Sequence, residues 1–104
     1  MDKVYVVCWS NSTQDDDDNT QAFCGVFGVY RFIDDAKAGL EECKEDFIEE
    51  IVNNPDFDEE DREYAASHLQ IYGSTEDDYF EMDYATGDTT SQIYMHIVEK
   101  EIKG

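Results

Sequence analysis

Two histidines, three cysteines and 27 carboxylates are the side chains of this 104-residue sequence that could carry chemistry. His68 and His96 lie far along the chain from any cysteine that either could activate as a nucleophile, so both are expected to be structural. Cys8, Cys24 and Cys43 are odd in number, and no pair has the C-x-x-C spacing of a zinc or redox site. They are expected as thiols packed like small hydrophobes in a reducing cytoplasm, with a Cys8–Cys24 bridge left open should their strands be neighbours. The run Asp15–Asp18 invites a calcium reading, but an EF-hand loop needs Gly at its sixth position and Glu at its twelfth. Counted from Asp15 those positions hold Thr20 and Val26; counted from Asp56 they hold Asp61 and Ser67. There is no nucleophile elbow, Gly-rich phosphate loop or zinc spacing. Paired carboxylates do acid–base work only where a pocket shifts one pKa, and abundance singles out no pair. The expectation is a protein that is not an enzyme, with no metal site and no cofactor.

The carboxylates matter instead as a charge distribution. Against 27 Asp and Glu stand 7 Lys and Arg, a formal charge of −20. That sign excludes a general electrostatic pull toward nucleic acid or an anionic bilayer. An aromatic share of 13% argues against a disordered acidic tail. No apolar run reaches the ~20 residues of a membrane span. The opening Met1–Trp9 has no cationic leader or small-residue cleavage site, which predicts a cytoplasmic protein.

The elements that must position these charges follow from periodicity. Lys3–Trp9 reads as a strand and Ser10–Thr20 as a mobile polar loop around the four aspartates. Ala22–Phe32 reads as a second strand, in which Gly25 and Gly28 signal a bulge or a close backbone approach. Asp34 is the expected N-cap of a long helix, because Ile33, Ala36, Leu40, Cys43, Phe47 and Ile51 recur at three and four residues. Asn53-Asn54-Pro55 ends it. A capping box at Asp58–Asp61 opens a short helix to about Leu69, and Gly73–Asp78 reads as a loop. Tyr79–Ala85 and Gln92–Ile102 alternate as strands around a turn at Thr86–Thr89. The expected fold is one α+β domain over 1–104: an antiparallel sheet of about four strands, in the order β-β-α-α-β-β, with the long helix packed on one face.

At 1.5 Å per residue the helix from Asp35 to Val52 is about 27 Å long and carries about one acid per 4 Å, against a phosphate roughly every 3.4 Å along a DNA strand. Glu41, Glu42, Glu45, Asp46, Glu49 and Glu50 recur opposite the apolar stripe, and Asp58, Glu59, Glu60 and Asp61 adjoin them. Between Asp34 and Glu63 there are 14 acids and 3 bases.

Val4-Tyr5-Val6-Val7, then Gly28-Val29-Tyr30, then Asp34-Asp35-Ala36-Lys37-Ala38-Gly39-Leu40-Glu41-Glu42 resembles a pattern of small phage and mobile-element proteins. There a V-Y-V-V strand and a G-V-Y strand precede an acid-rich helix. In size and acidity the chain is similar to DNA-mimic inhibitors of the anti-restriction and anti-CRISPR kind. That group shares charge rather than a motif, so the resemblance implies a mode of action and no residue roles.

The leading expectation is therefore an inhibitor or regulator whose ten acids, Glu41 to Asp61 as named above, occupy the basic groove of a nucleic-acid-binding protein or nuclease. The alternative is a small cytosolic adaptor whose acidity serves solubility. Its contact would be apolar, through Trp9, Tyr72, Tyr79, Tyr84 and Tyr94. A third course is an exposed sheet edge that pairs two copies into a homodimer.

Overall fold

In the computed structural model, which describes residues 2–15, 20–86 and 89–102, the elements run β1 (Lys3–Asp15), β2 (Thr20–Tyr30), α1 (Ile33–Val52), α2 (Glu59–Ser67), β3 (Gln70–Ser74), β4 (Tyr79–Ala85) and β5 (Thr89–Glu101). The class is α+β, and the sheet has five antiparallel strands in the order β2-β1-β5-β4-β3. β1 and β5 pair at its centre over their full 13-residue lengths, from Lys3 opposite Glu101 to Asp15 opposite Thr89.

Side chains alternate across a strand, so register sorts them into two faces. Val7, Ile93, Met95, Phe80 and Met82 point to one face and form the core with Ala36, Leu40, Cys43 and Ile51 of α1 and Ala65 of α2. Leu40, Cys43, Met82 and Met95 are wholly buried. The apolar stripe read from spacing is thus the face α1 lays on the sheet. Among the described residues no element covers the opposite face of the sheet. It carries Val4, Val6 and Cys8 of β1, Cys24, Val26 and Val29 of β2, Tyr94, His96 and Val98 of β5, Tyr79 of β4 and Tyr72 of β3.

The β1–β2 register slips between Val7 and Cys8: Val7 faces Gly28 and Cys8 faces Val26, which leaves Phe27 as the extra residue of a bulge. Phe27 packs against the core. The bulge also places Gly28 below α1, where the Tyr30 ring fits between it and Gly39. A Cβ on Gly28 would stand 2.6 Å from the Tyr30 hydroxyl, and one on Gly39 would overlap the same oxygen. The absence of a side chain at these two positions is what lets α1 sit down on β2.

Several expectations need correction. The sheet has five strands rather than four: Gln70–Ser74, which begins past the short helix expected to about Leu69 and runs into the loop expected from Gly73, is the edge strand β3. Ser10–Asp15 is not loop but the second half of β1, paired with β5 throughout and with β2 as far as Gln14, and Thr20 begins β2. The rest of the proposed mobile loop, Asp16–Asn19, lies outside the described residues, as do Gly87 and Asp88 of the expected turn. The N-cap of α1 is Phe32, in extended conformation and without a side-chain cap, rather than Asp34, which lies in the first turn. The Asp58 box is as expected: its Oδ1 accepts from the Asp61 N–H at 2.8 Å. β1 and β2 are neighbours, but Cys8 faces Val26 while Cys24 faces Ser10, a diagonal relation of about 7–8 Å that exceeds disulfide spacing. All three thiols are free.

Candidate functional site

The ten acids named from sequence share the helix layer, on the side of the sheet opposite the open face. The structure sorts them by what surrounds them. Lys44 sits under the flank of α1 that faces β4, its ammonium 4.7 Å from the Phe80 ring centre. It donates to Glu41 at 2.6 Å and lies 3.5 Å from Glu45. Burial lowers the pKa of Lys44, but the hydrogen bond and charge of Glu41, joined by Glu45, outweigh it and leave the net direction upward. Farther up the same flank Lys37 reaches Asp78, in the β3–β4 turn, at 3.7 Å. On the β4 flank of α1 two lysines therefore stand against three carboxylates, and most of the charge is compensated.

The other flank is not. Glu42, Asp46 and Glu50 recur every four residues, about 6 Å apart along the axis, on the side of α1 toward β2. Their position is visible in their neighbours. Tyr30 has a raised pKa, first from burial and then from the charges of Glu42, Cys43 and Asp35. The Cys43 thiol is pushed up to about 12 by burial, with Asp46 and Glu50 adding to it. Asp46 and Glu50 also border a groove of about 370 Å³ floored by Trp9, Phe23, Phe27 and Phe47. In that groove Trp9 meets Phe47 edge-on at 5.5 Å. Glu49 stands beside the row. Glu42, Asp46, Glu49 and Glu50 are exposed, and among the described residues no cation pairs with them.

Arg62, the remaining base of the helical region, does not neutralise a carboxylate. Its guanidinium donates to the carbonyls of Asn54 at 3.1 Å and Phe57 at 2.9 Å, fixing the turn between the helices. This leaves Asp58, Glu59, Glu60 and Asp61 as the N-terminal turn of α2, where the helix dipole favours negative charge. Asp58 is engaged in capping, while Glu59 and Glu60 are exposed. Position gives the α2 acids a structural reason to exist. Glu49 and Glu50 have none: they occupy the last turn of α1, which has no basic residue and whose partial negative charge opposes them.

The aromatics divide as well. Trp9 and Tyr84 point toward the helices and pack on the core. Tyr72, Tyr79 and Tyr94 lie on the open face, with Tyr79 and Tyr94 5.9 Å apart and His96 stacked on Tyr94 at 4.9 Å. His68 stacks on Tyr64 and its Nδ1 lies 2.9 Å from the Tyr64 carbonyl. No cluster of three or more metal-ligating side chains forms among the described residues. No described helix is long and apolar enough to cross a membrane.

Sequence reasoning did not mark Asp35 or the strand β2 as part of this surface. The signal for β2 was available: Thr20–Tyr30 contains no charged residue in a chain that is 33% charged. Comparison of the chain with family models, curated proteins and solved structures finds no match.

Proposed function

We propose that this protein is an acidic decoy: it binds the cationic groove of a nucleic-acid-binding protein and thereby inhibits or regulates it, in the manner of phage anti-restriction and anti-CRISPR proteins. The contact surface is the uncompensated side of the helix layer, centred on Glu42, Asp46, Glu49 and Glu50 and continued by Glu59 and Glu60. One observation carries this reading. Glu49 and Glu50 stand at the helix terminus where negative charge is unfavourable by about 0.3–1 kcal/mol each, beside further acids and, among the described residues, paired with no cation. Solubility alone does not require charge at a position that weakens the fold, since a mixed-sign surface serves that purpose. Arg and Lys of a partner, donating to these carboxylates, supply the missing counter-charge.

The experiment is capture of the partner from a host lysate on tagged protein at low and moderate salt, followed by competition with double-stranded DNA. Binding is expected to weaken with salt, because exposed pairs are screened over about 8–10 Å, and DNA is expected to displace the protein. Capture that ignores salt and DNA alike contradicts the proposal.

A second reading is favoured by the open sheet face, where Tyr72, Tyr79 and Tyr94 gather with no covering element among the described residues. An adaptor that uses this face binds through its aromatics and survives neutralisation of the acids.

A further inference from the structure

β2 is an edge strand of 11 residues with no charge and no proline to block pairing. Natural edges are usually short, charged or covered, because their outward N–H and C=O groups template another strand. The Phe27 bulge disturbs one end of β2, but Thr20 to Val26 remains in continuous register with β1 and, among the described residues, pairs with no strand on its other side. Phe23 is 59% exposed, Val26 60% and Val29 61%.

We propose that this edge accepts an extended strand from the cationic partner, in which basic and apolar residues alternate. Strand addition here presupposes that the acidic helix layer is the contact face, and it states how the partner approaches that face. A strand added to β2 lies about 4.8 Å beyond it, and its side chains alternate between the two faces of the sheet. Those on the helix side meet the row Glu42–Asp46–Glu50 and the groove of Phe23 and Phe27, which suits Lys or Arg with a long apolar stem. Those on the open side meet Ala22, Cys24, Val26 and Val29, which suits Val, Ile or Leu.

A second copy of this chain is the poorer occupant. Antiparallel β2–β2 pairing in one continuous sheet puts both α1 helices on the same side, with their Glu42–Asp46–Glu50 rows facing each other. Each copy carries −20. A cationic strand meets the same hydrogen-bonding edge with attraction instead.

The test uses two heptapeptides of equal charge, KVKVKVK and KVKPKVK, the second unable to pair as a continuous strand. Backbone amide exchange of the full-length protein is followed by NMR. With KVKVKVK, alternate amides between Thr20 and Val26 slow by about tenfold or more, and KVKPKVK leaves them unchanged. In the variant Glu42→Gln/Asp46→Asn/Glu50→Gln the affinity for KVKVKVK falls about tenfold, as expected for three exposed charge pairs. Equal binding of both peptides with β2 exchange unchanged overturns strand addition while leaving the acidic decoy intact. Protection of β2 that the triple variant keeps in full overturns the role of the acids, and the decoy with it. Protection of β2 that grows with protein concentration in the absence of peptide assigns the edge to a second copy and overturns the proposal.

Discussion

The two flanks of α1, and the two sheet edges beneath them, differ in how their charges and backbone groups are matched. Toward β4 and β3, Lys37 and Lys44 answer Asp78, Glu41 and Glu45, and the edge strand β3 is only five residues long. Toward β2, a row of carboxylates has no counter-ion among the described residues, and the edge is long and uncharged. The first flank is finished within the molecule. Among the described residues the second is incomplete in both charge and hydrogen bonding, and under the proposed function a cationic partner would complete it. A uniformly solubilising surface would show no such asymmetry, which is why the difference bears on function and the net charge alone does not.

The largest expected effect breaks the asymmetry directly. Neutralising the β2 flank with Glu42→Gln, Asp46→Asn, Glu49→Gln and Glu50→Gln weakens binding to the recovered partner by about 2–4 kcal/mol, from about 0.5–1 kcal/mol per pair. Glu41→Gln with Glu45→Gln, on the compensated flank, changes affinity by about threefold or less. Calorimetric titration of the two variants separates them.

Next is the wedge that seats the helix on β2. Gly39→Val drives a side chain into the Tyr30 ring and costs about 1–3 kcal/mol in urea unfolding. Amide exchange then rises in β2 more than in β3, because the Tyr30 contact serves only that edge.

A smaller effect has the opposite sign. Glu49→Gln with Glu50→Gln removes two charges from the negative end of α1 and raises stability by about 0.5–1 kcal/mol while lowering affinity. A thermal melt beside a binding curve shows both changes; loss of stability would mean the pair is structural.

At neutral pH the last effect vanishes; it appears only in alkali. Burial raises the folded pKa of Cys43 from 9.0 to about 12, so below pH 9 the thiol is protonated in folded and unfolded chains alike. Between about pH 9 and 12 the unfolded chain loses this proton first, and stability falls as pH rises. Cys43→Ala flattens that slope in a pH series of melts. Cys8 and Cys24 lack this burial and react with a thiol reagent in the native state, whereas Cys43 reacts only after unfolding.

Much of the fold was legible because its elements have one buried face. The spacing Ala36, Leu40, Cys43, Ile51 and the alternation Phe80, Met82 and Ile93, Met95 each record a side turned to the core. Ser10–Asp15 reads as loop because its side chains are polar toward both faces; it is a strand because β5 flanks all of it and β2 flanks it as far as Gln14. β3 leaves no pattern in the sequence for a similar reason, since Ile71 and Tyr72 stay exposed and Gly73 interrupts the alternation. Phe32 rather than Asp34 caps α1 because it is the last residue in extended conformation before the helix begins at Ile33. The acids were found as a set, but their division was not legible. Pairing of Lys37 with Asp78 spans the chain from α1 to the β3–β4 turn, and the engagement of Arg62 with carbonyls depends on the turn it closes.

Carboxyl footprinting of the captured complex, by carbodiimide labelling and mass spectrometry, bears most directly on the acidic flank as contact surface. Glu42, Asp46, Glu49 and Glu50 should lose reactivity in the complex while Glu81 and Asp83, on the open sheet face, keep theirs. Protection of Glu81 and Asp83 with the α1 row still labelled would place the partner on the aromatic face and contradict the account.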